Sequence, residues 1–293
     1  MGETSGGDSW LVGRLLATTA GFLGDKGCGT PRLDAELLLS KVLKMPKVQL
    51  YVNFERPLAP AELDEYRDLV RRRAKSEPVA YILGRKEFYG LELKTTPAAL
   101  IPRPETEHLV DEALRLAKTL WPEEKIQAAD IGSGSGAIAL ALAKHLPEAD
   151  IQAVDVSDAA LALAGENAAS LGLESRITFR HGDLLEPLAG LRFHLICANL
   201  PYIPTPEMAT LMPDVGRHEP HLALDGGPQG LDLIARLLAA APACLLPKGH
   251  ILLEIWPDSF PALNTMAEAA GYEVAEPIRD LAGHIRIVPL SLI

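Results

Sequence analysis

The stretch Asp130-Ile131-Gly132-Ser133-Gly134-Ser135-Gly136 sets three alternating glycines between an apolar run, Ile126 to Ile131, and an apolar-periodic run, Ala137 to Leu146. Strand, tight glycine turn and helix in that order bring backbone N–H groups and a helix N-terminus against a ligand. Gly132, Gly134 and Ala137 also satisfy the dinucleotide pattern G-x-G-x-x-G/A. Asp155 closes the next apolar run, Ile151 to Val154, about twenty residues further on, where an acid takes a ribose hydroxyl pair. The loop specifies a nucleoside cofactor and leaves NAD and S-adenosylmethionine open.

A second stretch separates the two. Phe193 to Ala198 is an apolar strand, and Asn199-Leu200-Pro201-Tyr202 sits at its carboxyl end, where open parallel sheets place their chemistry. A dehydrogenase has no evident use for such an element. The element resembles one found in methyltransferases that act on planar amide or amino nitrogens, and the resemblance implies an amide nitrogen as target, which becomes nucleophilic only if its N–H groups donate to fixed acceptors. Asn199 offers a side-chain oxygen and Leu200 a backbone carbonyl. Pro201 restricts the conformation of Leu200, and the ring of Tyr202 suits a planar substrate group.

Asn199 to Tyr202 closely resembles the Asn-Pro-Pro-Tyr motif of methyltransferases that modify planar amide or amino nitrogens, with Leu200 in place of the first proline. Together with Ile101-Pro102-Arg103-Pro104-Glu105-Thr106-Glu107 and a two-part layout, the chain resembles the release-factor glutamine methyltransferases, over nearly its whole length and most specifically from Pro78 to Tyr202. The resemblance implies a seven-stranded, Rossmann-like class I S-adenosylmethionine-dependent methyltransferase domain behind a small N-terminal helical domain that contacts the protein substrate. The implied reaction is N5-methylation of the glutamine in the GGQ motif of class I peptide chain release factors, with S-adenosyl-L-methionine as methyl donor. Catalysis falls to Asn199, Leu200, Pro201 and Tyr202. The same four residues, with Arg103 and Glu107, would bind substrate. The cofactor set is Asp130 at the methionine end, Gly132, Ser133, Gly134 and Gly136 in the loop, Asp155 on the ribose, Asp183 and Leu184 beside the adenine, and Asn199. No metal is expected. Rival readings are methylation of a ribosomal-protein glutamine or of a nucleic-acid adenine amine, an NAD-dependent dehydrogenase, and a noncatalytic cofactor-binding module.

Length and charge bound these readings. The 293 residues, 48% of them hydrophobic, suffice for two modest domains. A net charge of -11 gives no bulk attraction to nucleic acid. The visible basic cluster, Arg71 to Arg73 with Lys75, reads as a solvated helix end favoured by the macrodipole. Cys28, Cys197 and Cys244 form neither a ligand spacing nor a disulfide framework, which suits a reducing compartment, and Cys197 reads as a small core residue. Met1 to Ser9 lacks the order of a signal peptide, and no apolar run is long enough to span a bilayer. A cytoplasmic monomer is expected.

Along the chain, helical periodicity covers Leu11 to Leu23, then Thr30, as a cap, to Met45, then Pro60 to Lys75. Residues 1–77 are expected to form the helical substrate-recognition domain, 78–104 a connecting hairpin, with Val79 to Gly84 as one short apolar piece, and 105–293 the methyltransferase domain. Strands and helices alternate from Ile126, which implies a parallel sheet with helices on both faces. Tyr272 to Val274 and His284 to Val288 are expected as an antiparallel edge pair. The proline-rich piece from Pro201 to Gly230 is long enough to wall or cover a site, with Glu219 and His218 expected to be solvated.

Overall fold

The computed structural model describes residues 10–293, so the acidic, glycine-rich segment 1–9 lies outside it. Two compact units emerge. One runs to Gly84 and includes Pro213–His218, and the other comprises Arg85–Met212 and Glu219–Ile293.

The first unit is helical: α1 (Val12–Asp25), α2 (Pro31–Leu43), α3 (Lys47–Val52), α4 (Pro60–Arg73) and α5 (Val79–Leu83). Leu16, Leu23, Leu38, Leu39, Leu50 and Tyr66 are fully buried at its centre, the helical faces that the periodicity picks out. The Tyr66 hydroxyl donates to the Ala35 carbonyl at 3.1 Å. Three expectations change here. The apolar piece Val79 to Leu83 is one helical turn, closed by Gly84 in the left-handed conformation. Thr30 caps no backbone group; its hydroxyl donates to Asp34 Oδ1 at 2.7 Å. Arg73 is buried, donating through Nε to Asp34 Oδ2 at 2.7 Å and through a terminal nitrogen to Asp214 at 3.3 Å. Arg71 and Arg72 remain at the surface.

The second unit opens with a hairpin of β1 (Arg85–Phe88) and β2 (Leu91–Lys94). Tyr89 and Gly90 both have positive φ, 50° and 71°, as a tight two-residue turn matching strand twist requires. A short 3-10 turn, Pro104–Thr106, leads into α6 (Glu107–Leu120). There follow β3 (Gln127–Ile131), α7 (Ala137–His145), β4 (Asp150–Asp155), α8 (Asp158–Leu171), β5 (Ile177–His181) and β6 (Phe193–Ala198). After α9 (Pro213–His218), which belongs to the first unit, come α10 (Asp232–Ala240), β7 (Leu245–Glu254), α11 (Phe260–Ala269), β8 (Tyr272–Val274), β9 (Ile278–Arg279) and β10 (Ile285–Leu292). The Ser157 hydroxyl caps α8, accepting from the Ala160 N–H.

The sheet order is β5-β4-β3-β6-β7-β10-β8, with two-residue β9 paired to β10. Pairing is parallel from β5 to β7 and antiparallel at β10. The late strands pair antiparallel at this end of the sheet, as expected: β8 forms the edge, and β10, with Ile287, Val288 and Leu290 fully buried, joins it to β7. Strand β3 is buried on both faces, Ala128 in one apolar cluster and Ala129 in the other.

From β3 the chain moves to β4 and β5 on one side and later to β6 and β7 on the other, so a topological switch point lies between β3 and β6. Ile131 pairs with Ala198 across it. The next residues, Gly132 and Asn199, therefore leave the sheet side by side.

Candidate active site

At that switch point the second unit holds a cavity of about 400 Å³. The loop residues Gly132 to Ser135, Asp155, Asp183, Leu184 and Asn199 to Pro201 line it. Ala98 to Leu100, Arg103 and Thr106 contribute a second wall, and Pro220, Leu222 and Ala223 from the proline-rich loop a third.

The glycine turn has φ of 74°, 54° and 81° at Gly132, Gly134 and Gly136, a conformation a side chain would strain. A Cβ on Gly132 would also meet Leu200 Cδ2 at 3.1 Å. Four of the turn's backbone donors are engaged. Gly132 and Ser133 donate to the Val154 carbonyl at 2.8 and 3.0 Å, Gly134 to Asp155 Oδ2 at 2.8 Å, and Gly136 to the Ser133 carbonyl at 2.8 Å.

Asp155 accepts twice from backbone, at Oδ2 from Gly134 and at Oδ1 from Ser157 at 2.9 Å. Asp130 is fully buried; its Oδ2 accepts from the Ala139 N–H at 3.0 Å, while Oδ1 has no partner among the described residues. Burial pushes its carboxyl up to about 7, against the Ala139 hydrogen bond and with repulsion from Asp155 adding to the rise. Ser133 Oγ is likewise buried and without a partner among the described residues. Asp130 does not line the cavity; Ser133 Oγ, the glycine surface and the apolar lining by Val154 and Ala160 fit a ligand with one polar end and one flat apolar end. Asp183 is ion-paired with Arg236, and both face the cavity. Leu184 lines it with a φ of 48°, uncommon for a side-chain-bearing residue.

Asn199 donates through Nδ2 to Thr106 Oγ1 at 3.1 Å; Thr106 donates to Glu254 Oε2 at 2.6 Å; Tyr202 Oη donates to Glu254 Oε1 at 2.9 Å. Tyr202 thus points its hydroxyl at Glu254, and its ring is not part of the cavity wall, unlike the expected packing against a planar substrate. Burial raises both its phenol and the Glu254 carboxyl. Glu107 is also away from the wall, since its Oε1 accepts from the Tyr89 N–H at 2.9 Å and fixes the hairpin turn to α6. Arg103 does line the cavity, held by Glu219, whose Oε2 accepts from the Ile101 N–H at 3.1 Å. Glu219 is buried, not solvated as expected, whereas His218, in the first unit, is half-buried with Nε2 3.4 Å from the Lys75 carbonyl. Sequence reading did not single out Thr106, Glu254 or Arg236 as site residues. Thr106 alone carried a signal, lying inside the Pro102 to Glu107 motif.

Comparison with known proteins agrees. Residues 14–84 match the PrmC N-terminal domain, and residues 107–211 the methyltransferase small domain. Among solved structures, the ribosomal protein L11 methylase from Lactobacillus delbrueckii subsp. bulgaricus superposes with a TM-score of 0.50 at 20% identity, over 67% of this chain and 82% of that one. The hMettl16 catalytic domain gives 0.54 at 17%, over 76% and 81%. Fold and site define an S-adenosylmethionine-dependent methyltransferase of class I.

Closer relatives narrow the class. The release factor glutamine methyltransferase of Geobacter sulfurreducens is 48% identical over 246 residues, 84% of each chain. That of Rhodopirellula baltica is 41% identical over 294 residues, 99% of each. The chain belongs to the release factor glutamine methyltransferase family.

Proposed function

We propose that this protein methylates N5 of the glutamine in the GGQ motif of class I peptide chain release factors, acting as a monomer in the cytoplasm. The observation that carries the reading is the orientation of Asn199, whose amide nitrogen is tied to Thr106 and whose Oδ1 is left as an acceptor beside the glycine turn.

Bound S-adenosylmethionine supplies an activated methyl group: the N–C bond forms as the C–S bond breaks, its electron pair staying on a neutral thioether. This chain's residues do the rest. Asn199 Oδ1 and the Leu200 carbonyl accept from the two N–H groups of the target amide, bearing the positive charge that grows on nitrogen, which then releases one proton to water. Pro201 restricts the backbone of Leu200, whose Cδ2 packs beside Gly132. Asp155 would take the ribose hydroxyls, Ser133, on the turn that Asp130 supports from beneath, the methionine end, and Asp183 with Leu184 the adenine end. Arg103, fixed by Glu219, borders the entry of the substrate loop. The residue in the motif's first proline position is Leu200, buried at 4% exposure; the role asks only for its carbonyl. The helical unit, read as residues 1–77 with 78–104 as the connection, is the part that recognises the release factor body.

The test is mass spectrometry of a release factor incubated with the protein and S-adenosylmethionine. One methyl on the GGQ glutamine is expected. No transfer to the factor, with transfer instead to a ribosomal-protein glutamine or an adenine amine, would replace the reading.

A further inference from the structure

We infer that Thr106 is a positioning residue, which dictates which end of the Asn199 amide faces the reacting group, with Glu254 and Tyr202 as its anchor. The inference deepens the proposed function and rests on it for the reaction, though not for the geometry.

Oxygen and nitrogen of an asparagine amide occupy nearly equal positions, so the direction in which Asn199 works must come from its partners. Here the partners form a one-way chain. An ionised carboxylate only accepts, so at Glu254 both neighbours donate: Tyr202 Oη to Oε1 and Thr106 Oγ1 to Oε2. Thr106 has a single proton, and that proton is committed to Glu254. Toward Asn199 its oxygen can only accept. The amide end at 3.1 Å from it is therefore Nδ2, and Oδ1 is turned to the other side. With Thr106 at 4% exposure and Glu254 at 1%, water has little room to substitute for either partner.

The consequence is specific. An amide aimed the other way would present N–H to N–H of the target and lose the interaction that activates it. Without Thr106 both orientations are open. Outer partners that orient metal ligands cost about 10–100-fold in activity when substituted, and a partner that orients a substrate acceptor is expected to cost on that order.

The experiment compares Thr106→Val and Thr106→Ser in the full-length protein. Valine keeps the shape and removes the hydroxyl; serine keeps the hydroxyl. Thr106→Val should lower kcat on the release factor by about 10–100-fold while leaving S-adenosylmethionine binding unchanged, and Thr106→Ser should restore most of it. The Asn199 side-chain NH2 resonance, identified by its loss in Asn199→Asp, should move in Thr106→Val and stay in Thr106→Ser. In the Asn199→Asp background, where both ends accept, Thr106→Val should cost little more. Should the valine variant not fold, Thr106→Ala takes its place. An unmoved Asn199 resonance, or serine no better than valine, overturns the inference. If the unaltered protein methylates no glutamine, the proposed function fails instead, and the resonance still decides the orientation.

Discussion

Asp155 Oδ2 accepts the backbone N–H of Gly134 at 2.8 Å, so the acid at the end of β4 also ties down the glycine turn after β3. One side chain thereby serves cofactor contact and loop shape together.

Asp155→Ala should accordingly weaken S-adenosylmethionine binding by roughly 10–100-fold, the equivalent of losing a charge-assisted hydrogen bond worth about 1.5–3 kcal/mol. Asp155→Asn, which keeps one acceptor for the loop, should fall between. Titration calorimetry on folded variants decides it. Unchanged binding in both would remove Asp155 from the site.

Asp130 gives a stability prediction with a definite sign. Its carboxyl is raised from 3.8 to about 7 by burial, opposed by the Ala139 hydrogen bond and assisted by Asp155. Between those values the folded chain holds a proton that the unfolded chain has released, so stability falls as pH rises through this window and levels off above about 7. Below the window the contribution is complete. Asp130→Asn should flatten the slope. Urea midpoints of both proteins, without cofactor, across this range provide the measurement, and parallel curves would sink the assignment.

Arg73 should matter to the first unit far more than its arginine neighbours. It is buried against Asp34 and Asp214, and removing one partner of a buried pair commonly costs about 3–5 kcal/mol. Arg71→Ala, at the surface, should cost less than about 1 kcal/mol. Chemical denaturation of the two variants makes the comparison; equal effects would contradict the burial.

Why Arg73 escapes a reading of the sequence is instructive. Arg71, Arg72 and Arg73 are identical in type and adjacent, and what separates them is an acid 39 positions back and another 141 ahead. The glycine turn and Asn199, by contrast, announce themselves locally, because strand, turn and cap are consecutive in the chain. Alternation from Ile126 likewise exposes the parallel sheet. The pairing of β10 with β7 is hidden, since it depends on which edge is free after the chain has folded. Thr106 and Glu254 show the same limit within the site: 148 residues separate them, and neither is unusual where it stands. Glu219 looked like a loop acid until the Ile101 N–H and Arg103 came to meet it.

The last prediction concerns pH and the Glu254 carboxylate. Burial raises its pKa above the ordinary 4.5, hydrogen bonds from Thr106 and Tyr202 and the charge of Arg286 pull it back, and Glu105 pushes it up. Only the ionised form accepts from Thr106 and Tyr202 at once; once protonated, Glu254 must donate to one of them, and the fixed direction of the Asn199 amide is lost. Activity should therefore be present above this raised pKa and fall as pH drops through it, on an acid limb lying above 4.5. Tyr202→Phe removes a bond that favours the charged form, so its limb should shift to higher pH. Glu105→Gln removes a repelling charge and should shift it lower. Profiles of kcat against pH for the three proteins test the pair of signs; limbs that coincide, or that move in the same direction, would show that another group controls the reaction.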